Sequence, residues 1–135
     1  MYNDRSERET APRIIPPWLL HRARLAIEEA RTAHPRLDRV GWNRRLPRRQ
    51  QAEPFNLHSV ATAIGFIESG KVTLLPTPRR SSYALKHSAE RWGERNGFEP
   101  YVGNGDFILA ALNCGVPLGR AHGANCAVAL RVEAA

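Results

Sequence analysis

Six arginines (Arg36, Arg39, Arg44, Arg45, Arg48 and Arg49) fall within fourteen residues that contain one acid, Asp38, and one aromatic, Trp42. This stretch supplies most of the chain's formal net charge of +7. A guanidinium is always charged at neutral pH and offers five N–H donors in a planar fork, which suits bidentate contact with phosphate or carboxylate. Charge focused on one segment implies a polyanionic or acidic partner that meets the protein there, with Trp42 available to stack on a base or fill a pocket. A second basic step, Arg79-Arg80, lies just before Lys86 and His87. Those four residues, at the start of an expected helix, would suit a phosphate held by free amide groups and the helix dipole.

Other chemistry is weakly supported. The five histidines and thirteen acids are scattered, and no nucleophile elbow, phosphate loop or paired metal-ligand motif joins them. Cys114, His122 and Cys126 are too widely spaced for a structural zinc site, which usually shows cysteines two to four residues apart. The two thiols read as small buried hydrophobes in reduced form. The chain therefore reads as non-enzymatic, with no cofactor and no metal. MYNDRSERETAPR has neither a secretory nor a membrane-spanning pattern, so the expected compartment is the cytoplasm, with no membrane partner.

The elements that position these residues follow from periodicity. At 135 residues and 42% hydrophobic, one domain is expected over 16–135, after a disordered tail at 1–15. Leu19, Ala23, Ala26, Ile27 and Ala30 predict a first helix from Pro17 to about Ala33. His34-Pro35 ends it, because a residue before proline avoids the helical region. Residues 35–55, with three prolines and the arginine run, predict an extended loop. Asn56 caps a second helix whose apolar face runs from Leu57 to Ile67, and Gly70 follows its end. Lys71–Leu75 predicts one short strand. Ser81 or Ser82 caps a third helix reaching Arg95, and Asn104 caps a fourth with Asp106 in its first turn. Alternation of Cys126, Val128, Leu130 and Val132 predicts a last strand, able to pair with the first. The fold class is thus mainly α, a small α+β domain of about four helices with one or two short strands.

The run Ser82-Tyr83-Ala84-Leu85-Lys86-His87, followed by Tyr101-Val102-Gly103-Asn104-Gly105-Asp106-Phe107-Ile108 and on to Leu112, resembles a pattern in small uncharacterised proteins of phages and other mobile elements. The resemblance covers residues 82–112 and brings no catalytic residue. What it implies is context: an accessory protein acting on nucleic acid or on a host defence complex. Two functions follow as expectations. One is a nucleic-acid binder (DNA or RNA) using Arg36, Arg39, Trp42, Arg44, Arg45, Arg48, Arg49, Arg79, Arg80, Lys86 and His87. The other is an inhibitor that uses the same residues on a nucleic-acid-guided host defence complex.

Overall fold

The computed structural model describes residues 15–46 and 52–133. The expected tail at 1–15 therefore lies outside the described residues except for Ile15, which is buried. Helix α1 (Pro17–Ala33) starts with proline at its first position, where the missing N–H costs nothing and the fixed φ already fits. It buries Leu19, Ala23, Ala26 and Ala30, one residue per turn. Helix α2 (Leu57–Ile67) is capped as expected: the Asn56 side chain accepts the Ser59 N–H at 3.0 Å. Nearly all of α2 is buried, because it packs on α1 and on the two later helices, α3 (Ser82–Arg95) and α4 (Asn104–Asn113). Val60, Ile64, Phe66, Leu85, Phe107 and Ile108 form the middle of one hydrophobic cluster.

Seven strands accompany these helices among the described residues, where one or two were expected: β1 (Leu37–Asp38), β2 (Gly41–Trp42), β3 (Val72–Leu74), β4 (Arg80–Ser81), β5 (Leu118–His122), β6 (Asn125–Val128) and β7 (Leu130–Val132). None exceeds five residues, and most are too short to carry a period-two pattern that a sequence reading can detect. They form three small antiparallel sheets, β1-β2, β3-β7 and β4-β6-β5. The pairing of the expected strand after Lys71 with the C-terminal strand is present, with Val72 opposite Val132 and Leu74 opposite Leu130. The C-terminal alternation is split at buried Ala129, where the chain leaves one sheet and joins another. The fold is α+β, with four helices among the described residues, none of them long and apolar enough to cross a membrane.

The first half of the segment expected as an extended loop is a hairpin. Leu37 pairs with Trp42 and Asp38 with Gly41, leaving Arg39 and Val40 as a two-residue turn. Gly41 has φ +136°, and a Cβ there would lie 2.2 Å from the Ala124 carbonyl oxygen, so no other residue fits without a shift. Tertiary contact rather than strand propensity sets this hairpin.

Candidate functional site

The hairpin turn sits on the N-terminus of α4. The Gly105 N–H donates to the Arg39 carbonyl at 2.8 Å. A Cβ on Gly105 would fall 1.6 Å from the Asp38 carbonyl oxygen, so only glycine permits this approach. Asn104 ties four elements together. Its side-chain amide donates to the Val40 carbonyl at 3.0 Å and the Ala124 carbonyl at 3.1 Å, and its oxygen accepts the Ser82 hydroxyl at 2.8 Å. Ser82 Oγ in turn accepts the Cys126 N–H, and the Trp42 N–H donates to Ala124. The hairpin, the turn between β5 and β6, and the starts of α3 and α4 therefore meet at one buried amide.

That use of Asn104 corrects the expected cap. Gly103, not Asn104, is the N-cap of α4, because the Asn104 side chain is committed to tertiary partners. Capping passes to Asp106, whose Oδ2 accepts the Gly103 N–H at 2.9 Å. Since glycine has no side chain to reciprocate, this is half of a capping box. Asp106 is fully buried, and its Oδ1 also accepts the Asn56 N–H, so one carboxylate joins the starts of α2 and α4. Arg39 Nε lies 2.9 Å from Asp106 Oδ2, and its Nη2 donates to Ser59 Oγ. Burial pushes the Asp106 carboxyl up to about 6, against the opposing pull of Arg39 and of the Asn56 and Gly103 amides.

Arg39, expected among the contact residues, is thus an internal strut. Its guanidinium also lies 4.7 Å from the ring centre of Tyr101. On the same ring, and on that of Tyr83, stands Lys86, whose Nζ is 5.3 Å and 5.5 Å from the two centres. Both tyrosines are exposed, at 53% and 54%. Tyr83, Lys86, Tyr101 and Arg39 therefore alternate aromatic and cation in one surface row, held within cation–π range. Lys86 is buried and pairs with Glu90 Oε2 at 3.5 Å. Glu90 also takes His87 Nδ1 at 2.9 Å and the Val102 N–H at 3.0 Å. His87 packs edge-on against Tyr83 at 4.7 Å. Lys86 and His87 thus share an internal carboxylate instead of joining Arg79 and Arg80 in an anion site. Arg79 lines a separate groove of about 290 Å³ with Ser81, His122 and Asn125, while Arg80 is exposed on β4.

The remaining predicted residues divide by exposure. Arg36, Arg44 and Arg45 are exposed, and Arg48 and Arg49 lie outside the described residues. Trp42 is half-buried against the core, and its ring meets that of His34 in a T-shaped contact with centres 6.3 Å apart. Asp38, the acid of the arginine run, is buried, and its oxygens accept the Val40 and Glu53 N–H groups. Burial raises both thiols, Cys114 to about 11, and no group of three metal-ligating side chains occurs among the described residues.

Sequence reasoning placed Ser82, Asn104 and Asp106 only at helix starts and missed their tertiary partners, and it gave no role to Tyr101 or to the ring of Tyr83. The available signal was a polar pair, Asn104 and Asp106, alternating with two glycines at the head of an otherwise apolar helix. Polar groups at such a place need buried partners. The chain matches no protein-family model, no curated protein and no solved structure.

Proposed function

We propose that this protein is a non-enzymatic nucleic-acid-binding accessory protein of a phage or mobile element, and that it contacts phosphates through the arginine-rich loop. One observation carries the reading. Asp38, the acid of the run, is turned inward and spends its carboxylate on backbone amides, while Arg36, Arg44 and Arg45 stand in solvent. From Arg36 to Arg45 the loop therefore presents positive charge with its single acid, Asp38, turned away from solvent. Its base is fixed by Asn104 and Gly105, so the arginines leave a rigid support. Exposed Tyr83 and Tyr101 offer ring faces on which an unpaired base can stack. The genetic context rests on the resemblance over 82–112.

The non-enzymatic part is supported by the state of the perturbed groups. Asp106 is sealed from solvent, and thiols raised by burial are poor nucleophiles at neutral pH.

The test is fluorescence-anisotropy binding of labelled single-stranded and duplex DNA and RNA across a salt series. Binding should weaken steeply with salt, because each neutralised phosphate releases counterion. Changing Arg44, Arg45, Arg48 and Arg49 together to glutamate should abolish it while the melting temperature stays close to that of the parent. Negligible binding of the parent protein at physiological salt would overturn the reading. Exposed Val40 and Leu46, at 56% and 62%, flank the exposed arginines and favour a second reading: an inhibitor docking on a nucleic-acid-guided defence effector. It predicts a stoichiometric complex with that effector and an affinity for it far above that for bulk nucleic acid.

A further inference from the structure

Away from the arginine loop, a pocket of about 370 Å³ opens between the second half of α3 and the β3-β7 sheet. Its apolar lining comes from Phe66, Trp92 and Val132, and cations stand around it on two sides, Arg91 and Arg95 from α3 and Lys71 from the entry to β3. Arg91 and Arg95 are one helical turn apart, so their side chains leave the same face. Each guanidinium spends one donor inside the protein, Arg91 on Ser88 Oγ and Arg95 on the Arg91 carbonyl, and keeps the rest of its fork. Glu133 is the lone acid of the lining, and one of its oxygens accepts the Thr73 hydroxyl. The Asn96 amide nitrogen donates to the Trp92 carbonyl, which leaves the amide oxygen as an acceptor.

We infer that this pocket binds a nucleoside phosphate, with the base on the Trp92 and Val132 side and the phosphate between Arg91, Arg95 and Lys71. The volume is at the small end of ligand sites, as a mononucleotide requires. Three cations against one acid select an anion, and paired guanidinium forks match phosphate oxygens. An apolar aromatic wall next to that charge selects an anion with a flat apolar body. Asn96 and Glu133 offer acceptors to an exocyclic amine on the base. The phosphate can belong to a free nucleotide or to the terminus of a strand.

The experiment is a titration of the full chain with AMP and, separately, with a 5′-phosphorylated tetranucleotide, read by NMR shifts of the Trp92 indole N–H. Trp18 and Trp42 give separate indole signals that serve as internal controls. Saturable shifts of Trp92 with AMP assign a free-nucleotide site, and shifts with the tetranucleotide alone assign a strand end. In either case, R91E/R95E should weaken binding by roughly tenfold or more, the scale of losing a charged hydrogen bond or two. R24E/R120E, at two exposed positions outside both the pocket and the loop, should leave it unchanged, which separates loss of this site from loss of overall charge. If R91E/R95E fails to fold, Lys71→Glu alone serves, with the same direction of effect. No Trp92 shift with either ligand at millimolar concentration overturns the inference, as does equal loss in R24E/R120E and R91E/R95E.

Discussion

Arg39→Ala separates the internal reading of this arginine from the contact reading. Arg39 faces a fully buried carboxylate at 2.9 Å, and removing one partner of such a pair leaves a charge without compensation. Losses of this kind are about 3–5 kcal/mol, and because the Arg39 side chain is itself partly exposed the lower end applies, roughly 3 kcal/mol. At about 3–4 °C per kcal/mol for a domain of this size, the melting temperature should fall by roughly 10 °C at pH 8. The loss must also depend on pH. The Asp106 carboxyl titrates at about 6 when folded, above its ordinary value of 3.8, so the folded state holds the proton more tightly than the unfolded one. Its contribution to stability is therefore fully present below about 4 and fades as pH rises through 6.

Removing Arg39 takes away the largest influence holding that carboxyl down, so in the variant the fading continues to higher pH. The gap between parent and variant should be widest at pH 8 and shrink to about 1 kcal/mol near pH 5, where Asp106 is protonated in both and only hydrogen bonds and ring contact are lost. Urea unfolding at several pH values measures this directly. A gap of the same size at pH 5 and pH 8 would refute the electrostatic account. In anisotropy, the variant should keep the parent's salt slope, because this guanidinium does not reach phosphate; a slope reduced by about one would return Arg39 to the contact surface.

Asn104→Ala removes three hydrogen bonds at the junction of four elements, and at about 1 kcal/mol each should cost roughly 3 kcal/mol in urea unfolding. A cost under about 0.5 kcal/mol, the range of ordinary surface substitutions, would show the junction is held by packing alone. Thr62 Oγ1 is buried with no hydrogen-bond partner among the described residues, so Thr62→Val should stabilise by about 1 kcal/mol, measured the same way. With its thiol near 11, Cys114 should be alkylated by iodoacetamide at pH 7.5 far more slowly than a free cysteine, and faster once urea unfolds the chain.

The helices were legible because each carries its own boundary chemistry. Pro17, Asn56 and Ser81 mark starts that the structure keeps, and Gly97, with φ +74°, marks the break after α3. Local propensity and tertiary packing agree at those places. The hairpin at Leu37–Trp42 was not legible, because its few residues form a strand pair only when Asn104, Gly105 and Ala124 supply partners from over 60 residues away. Strands β4 and β5 lack an apolar alternation for the same reason, since burial in so small a sheet falls mainly on the middle strand β6. Among the site residues, exposure followed side-chain chemistry for Arg36, Arg44 and Arg45, but the same residue type at 39 was drawn inward by Asp106. No single-residue property distinguishes Arg39 from its neighbours; the distinguishing fact is a carboxylate 67 positions later.

The two roles of charge in this chain, support and presentation, are therefore assigned by where the acids sit. Asp106 is buried and Glu90 largely so, and they take Arg39, Lys86 and His87 as partners, which commits those side chains to the protein itself. Asp38 also turns inward, but it takes amides rather than guanidinium groups, so its arginine neighbours remain unpaired by it. With Asp38 turned inward, exposed Glu53 is the remaining acid of residues 35–55, and the field around Arg36, Arg44 and Arg45 stays positive. Asp38→Ala should then leave that surface charge unchanged while freeing the Val40 and Glu53 amides, so any loss of binding would come from a loosened loop base. Asp38→Asn, which can still accept one of those bonds, should restore part of it; equal loss in both would show that the carboxylate itself, not the hairpin it fixes, governs the loop.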